Sequence, residues 1–120
     1  MTGRVGNSPV VEGAFCPYFQ RTVELIGRRW TGAVLRAMLL GITRFTELRA
    51  AIPELSDRML SERLKELEAE GIVERRVIPT TPVRVEYTLT PKGQALGKVM
   101  DVISDWAEEW LAAPEQPAPG

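Results

Sequence analysis

Apolar residues recur along the chain at two periods, and the change from one to the other divides it into elements. Phe45, Leu48 and Ile52 stand three and four residues apart and so share one helical face. Pro53 ends that helix, because proline has no amide hydrogen and disfavours helix before it. Ser56 offers a side-chain oxygen to the free amides of a second helix, in which Leu60, Leu64 and Leu67 form the buried stripe. Gly71 ends it where a residue of positive φ is wanted. Arg58, Ser61, Glu62 and Lys65 are left pointing outward near its start. Two helices over 44–70 with a tight turn between them have the layout of a helix-turn-helix, whose second helix offers its first turns to base edges.

Upstream, Phe19, Val23 and Ile26 share one face of a short helix over 17–26, with Pro17 suited to its first position and Gly27 ending it. A further helix is predicted from Arg29 to Leu40, where Trp30, Val34 and Met38 recur every four residues, Leu35 and Leu39 widen the stripe, and Gly41 closes it. Downstream the period becomes two. Val83, Val85, Tyr87 and Leu89 alternate with Arg84, Glu86 and Thr88, and Val73 to Ile78 is the partner strand across the short link Pro79-Thr80-Thr81-Pro82. Such a pair over 73–89, directly after the second helix, is a wing with Arg84 at its tip and Arg75 and Arg76 lower down.

Thr90-Pro91 is a hydroxyl cap followed by proline at the first helical position. From there Leu96, Val99, Met100, Ile103, Trp106 and Trp110 recur at three and four over 91–111, a helix of about 20 residues and about 30 Å. One side of it is too apolar for so small a domain to cover. Its expected cover is the same helix, or the N-terminal one, from a second copy. Segments 1–13, with Gly3, Gly6, Pro9 and Gly13, and 113–120, rich in proline and alanine, read as a flexible lead-in and a disordered tail. The expected fold is mainly α with a small β part. It is one winged helix-turn-helix domain over 14–112, with a two-stranded wing and N- and C-terminal dimerisation helices.

Composition removes several function classes. The chain has no histidine, hence neither the usual general base near neutral pH nor the commonest metal ligand. Its single cysteine makes no disulfide within the chain and no thiolate zinc site. No pair of carboxylates sits in an apolar surround, so an enzyme is a distant reading and no cofactor or metal is expected. With no apolar run near the roughly 20 residues of a membrane span, and no signal peptide, a soluble cytoplasmic protein without membrane association is expected. A net charge of −1 is unfavourable for binding phosphates, but its distribution is lopsided. Residues 21–84 hold twelve bases against nine acids and residues 85–120 two against six, which puts the positive end at the proposed reading head.

The candidate DNA-binding residues are Arg44, Ser56, Arg58, Ser61, Glu62, Lys65 and Arg84. The outward residues of the second helix read alone are a solvated face; the wing beside them turns the reading toward bases and phosphates. Arg63 instead pairs with acids on its own helix. Arg84 suits the minor groove or its flanking phosphates, its plainer role being a cross-strand partner for an acid such as Glu74. Arg44 and Arg49 either position the first helix on the DNA backbone or keep it soluble. Cys16 precedes a helix N-terminus, where the helix dipole favours negative charge, and Arg21, Arg28 and Arg29 are placed to add to this. Otherwise it is the small buried apolar residue that a lone cysteine usually is. Phe19, Trp30, Met100, Ile103, Trp106 and Trp110 read as core or interface, with Phe19, Val99, Ile103, Trp106 and Trp110 at the dimer seam. A ligand pocket lined by such residues is the less economical alternative.

Over about Cys16 to Trp106 the chain resembles the HxlR-type winged helix-turn-helix regulators of bacteria, relatives of the MarR group. The resemblance rests on Cys16-Pro17, Gly27 with Trp30, Gly41, Arg44-Phe45 with Leu48, Ile52-Pro53, Ser56 with Leu60, and Arg63-Leu64 with Leu67. It continues through Gly71, Arg75, Pro82-Val83-Arg84-Val85-Glu86-Tyr87, Leu89-Thr90, Gly93 and Trp106. The order and spacing of these pieces carry it, each being weak alone. It implies a homodimeric transcription factor on a palindromic operator of double-stranded DNA, with the first and last helices as the dimer interface. Several members sense electrophiles or oxidants through the cysteine position that Cys16 occupies and others lack any known signal, so the resemblance leaves open both an electrophile or small-molecule inducer and none. One departure is the run Glu66, Glu68 and Glu70, which should hold the second half of the reading helix off the phosphates. That acidity is the main support for the alternative class, a winged-helix module that binds protein and never DNA.

Overall fold

Ser56, Thr90 and Cys16 each cap a helix through their own side chain, and these three local bonds set where the principal elements begin. In the computed structural model, which describes residues 13–112, the order is α1 (Pro17–Ile26), α2 (Thr31–Leu39), α3 (Phe45–Ala51), α4 (Asp57–Ala69), β1 (Val73–Ile78), β2 (Arg84–Leu89) and α5 (Pro91–Trp110). The segments expected to be flexible, 1–13 and 113–120, lie outside the described residues apart from Gly13. No helix among the described residues is long and apolar enough to cross a membrane.

Helix α4 runs between two clear signals. The Ser56 hydroxyl accepts the Met59 N–H at 3.1 Å, and Gly71 follows the C-terminus at φ +74°, a conformation that costs a side-chain-bearing residue about 1–2 kcal/mol. Leu60, Leu64 and Leu67 are all but inaccessible and join Val34, Leu35, Leu48, Leu55 and Ile72 in one core. Burying each such side chain is worth roughly 1.5–3 kcal/mol, so this stripe fixes which face α4 turns outward.

Helix α2 starts at Thr31, two residues later than its periodicity predicts. Trp30 takes φ +75°, left-handed backbone that a bulky residue adopts at a cost of about 1–3 kcal/mol, and the chain turns there. Its ring packs against the core with the Arg29 guanidinium 5.4 Å from its centre, which offsets part of that cost.

Strands β1 and β2 form an antiparallel ribbon in which Val73 faces Leu89 and Ile78 faces Arg84. The Tyr87 N–H donates to the Thr43 carbonyl at 2.8 Å, tying the inner edge of the ribbon to the segment that leads into α3. The ribbon therefore stands as a wing beside the helix-turn-helix.

Helices α1 and α5 are the exception to the packed core. No residue of α1 is buried, and only Gly93 and Gly97 are buried in α5. Leu96 and Met100 pack onto the core, while Phe19, Val99, Ile103, Trp106 and Trp110 are exposed, Trp106 by 56% and Trp110 by 66%.

Candidate nucleic-acid interface

At about 100° per residue, Ser61, Glu62 and Lys65 fall within roughly 60° of Arg58, to one side or the other, opposite the leucine stripe. Arg58, Glu62 and Lys65 are exposed and Ser61 is half-buried. Arg58 Nε lies 3.3 Å from Glu62 Oε2, one turn further on, with 90% of the arginine side chain in solvent. So exposed a pair is worth under about 1 kcal/mol and opens readily toward a phosphate. Ser56 uses a lone pair of its oxygen to cap the helix, which leaves its O–H free to donate outward.

The first helix of the motif is braced against the second. Arg49 Nε donates to Asp57 Oδ1 at 2.6 Å, across the turn from α3 to the first residue of α4. This pair gives Arg49 a structural task, whereas Arg44, at the N-cap of α3, is exposed and makes no side-chain capping bond.

Arg84 stands at the wing tip, half-buried, with Nε 3.6 Å from Glu86 Oε2 on the same strand. Glu74 is not its partner. The register sets Glu74 opposite Thr88 and Arg84 opposite Ile78, four pairs further along the ladder. Glu74 approaches Arg76 instead, at 3.6 Å.

Cys16 is exposed, and its sulfur accepts the Phe19 N–H at 3.4 Å as the N-cap of α1. Within the single chain, therefore, it is not the buried apolar residue that a lone cysteine usually is. The arginines expected to gather round it do not. Arg21 pairs with Glu70 at 3.0 Å, Arg28 with Glu66 at 3.3 Å, and Arg29 stacks on Trp30.

Arg63 is only 6% exposed. It bonds Glu66 on its own helix at 2.8 Å, as its spacing predicts, and also the Arg29 carbonyl at 2.8 Å, a partner that no local pattern discloses. Glu66 and Glu70 are consequently held by partners within the chain, and the acidic run at the end of α4 is partly an internal fastening.

A cleft of about 360 Å³ opens where α1, the end of α4 and the start of α5 meet, lined by Tyr18, Leu25, Ile72 and Leu96 with Arg21 and Lys92. None of Phe19, Ile103, Trp106 and Trp110 lines it.

A family model described as HxlR-like helix-turn-helix matches residues 25–115. The chain belongs to the HxlR family. The HTH-type transcriptional regulator YvaP of Bacillus subtilis is 51% identical over 100 residues, covering 83% of this chain and 93% of its own. YodB, an HTH-type transcriptional regulator of the same organism, is 46% identical over 95 residues, 79% of this chain and 85% of its own. The reduced form of YodB superposes with a TM-score of 0.74 at 45% identity over 81% of this chain and 95% of that one, and YodB has also been solved diamide-treated and quinone-bound. The redox regulator HypR in its oxidised form gives a TM-score of 0.74 at 38% identity, covering 82% of this chain and all of that one. As an HxlR-family protein the chain is a DNA-binding transcriptional regulator with a winged helix-turn-helix, and not an enzyme.

Proposed function

We propose that this HxlR-family regulator acts as a cytoplasmic homodimer on a palindromic operator. Two α4 helices enter successive major grooves about 34–36 Å apart, and each wing reaches the flanking backbone. The observation that carries this reading is the placement of Arg58, Glu62 and Lys65 in solvent on the face of α4 opposite three fully buried leucines. In it Ser56, Ser61, Arg58, Glu62 and Lys65 contact bases or phosphates, while Arg44 and Arg84 contact the backbone. Support for the dimer comes from the apolar residues that α1 and α5 leave uncovered, among them Phe19, Ile103, Trp106 and Trp110, which a second copy would bury.

Cys16 is the proposed sensor, for oxidants or electrophiles. Its exposure and its place at the start of α1 support this, as do the diamide and quinone forms of YodB. The test is a gel shift against the promoter beside the gene, titrated with salt. A shift at submicromolar protein whose affinity falls steeply with salt is expected; no salt-sensitive shift at micromolar protein would instead favour the protein-binding module.

A further inference from the structure

The face of α4 that lies between its leucine stripe and its reading face is fastened to the first helix of the chain. Arg63, Glu66 and Glu70 sit roughly 80–140° round the helix from Arg58, apart from both other groups. Arg63 donates through Nε to the Arg29 carbonyl and through an Nη to Glu66 Oε2, both at 2.8 Å. Arg28 lies 3.3 Å from the same Glu66 oxygen, and Arg21 reaches Glu70 Oε1 at 3.0 Å. Lys92, in the first turn of α5, donates to the Glu70 carbonyl at 2.6 Å. Apart from the Arg63–Glu66 bond, which lies within α4 and holds the two side chains together, each of these bonds runs from α4 or its C-cap to α1, to the α1–α2 turn, or to α5.

The Arg29 carbonyl is well chosen for this. It belongs to the turn in which Trp30 holds left-handed backbone, just before α2 begins, so a rigid guanidinium fork there registers α4 against a fixed point. Arg63 is also nearly sealed from solvent, where a charge is tolerated only if paired and its bonds resist exchange with water.

We propose that Arg63, with Glu66, Arg28 and the Arg21–Glu70 pair, is a positioning clamp that sets the pose of the reading helix relative to α1, and through it the operator spacing the dimer accepts. This deepens the dimeric reading above and rests on it. Helices α1 and α5 carry the uncovered apolar faces, so they belong to the frame that joins the two copies. The separation and tilt of the two α4 helices then depend on how each is fastened to its own frame. Hydrophobic packing is non-directional and leaves a helix free to tilt or slide by small amounts; the directional bonds of the buried Arg63 remove that freedom, and the more exposed Arg28–Glu66 and Arg21–Glu70 pairs add a smaller share.

The readout is spacer discrimination, which a general loss of stability does not alter selectively. The probes are duplexes selected by the wild-type protein from a randomised library, and the same half-sites with one base pair inserted or removed, a change of about 3.4 Å in separation. The wild type is expected to prefer its own spacing by about tenfold. Arg63→Gln, still dimeric, should lose at least about threefold of that ratio. Arg21→Glu should lose part of it, and Arg21→Glu with Glu70→Arg should regain it. Folded dimers of Arg63→Gln and Arg21→Glu that discriminate as well as the wild type would overturn the clamp; should Arg63→Gln not fold, Arg21→Glu and its reversed pair decide alone. A wild type indifferent to spacing would overturn the dimeric operator reading itself, a distinct result.

Discussion

The Thr90 hydroxyl donates to the Gly71 carbonyl at 2.5 Å while its oxygen accepts the Gly93 N–H at 3.1 Å. One side chain thus caps α5 and fastens it to the residue that ends α4, and the Thr90 N–H adds a bond to the Ile72 carbonyl at 3.0 Å. Replacing Thr90 by Val keeps the shape and removes both side-chain bonds. The expected loss is about 1–3 kcal/mol, read as a lower urea midpoint at fixed protein concentration. An unchanged midpoint would mean that water replaces the hydroxyl without cost.

Gly93 has no room for a side chain. A Cβ there would collide with the Ile72 carbonyl oxygen and press on a Leu89 methyl at 3.0 Å. Since the obstacle is backbone, it cannot rotate away, and Gly93→Ala should cost about 1–3 kcal/mol despite favourable helix propensity. Gly97→Ala meets the end of Leu39 instead, at 3.0 Å, and should be milder. Parallel thermal melts of the two variants test the order.

Lys65 is exposed and makes no ion pair or side-chain hydrogen bond among the described residues. If it contacts one phosphate, Lys65→Ala weakens binding to all sequences and lowers the log–log salt slope by about 0.9. Arg58 is partnered by Glu62, so Glu62→Gln should release it and raise affinity for non-operator DNA. Fluorescence anisotropy at several salt concentrations separates the two effects, and an unaltered slope for Lys65→Ala would remove it from the contact set.

Ile103 and Trp106 lie on the uncovered side of α5. In the proposed dimer, Ile103→Glu with Trp106→Glu would bring four unpaired charges into a symmetric seam, so the wild type should sediment as a dimer and the variant as a monomer with its far-ultraviolet dichroism retained. A variant that still sediments as a dimer would place the interface elsewhere.

Cys16→Ser preserves a capping group for the Phe19 N–H and should leave stability within about 0.5 kcal/mol. Diamide or a quinone should change operator affinity of the wild type and not of this variant. Equal responses in both would take the cysteine out of the mechanism.

Much of the helix-turn-helix was legible in the chain itself, because its signals act over three or four residues. Ser56 and Thr90 cap the helices that they precede, Gly71 takes positive φ, and Leu60, Leu64 and Leu67 are buried, all from rules that need no knowledge of the rest of the molecule. The alternation of Val85, Tyr87 and Leu89 likewise suffices to predict a strand. What it does not set is the register, since the turn decides whether Arg84 meets Glu74 or Ile78.

The partners of charged groups were the part that tertiary structure alone decided. Arg21 and Arg28 are near Cys16 along the chain, yet they turn to Glu70 and Glu66 once the end of α4 comes within reach of α1 and the turn after it. Arg63 shows the same: its spacing from Glu66 could be read directly, but the Arg29 carbonyl lies 34 residues away and comes within reach only when the core has closed. Helix and strand arise from short-range sterics and hydrogen bonding, which the local order of residues specifies. A long, flexible charged side chain has several acceptable partners, and packing of distant segments chooses among them.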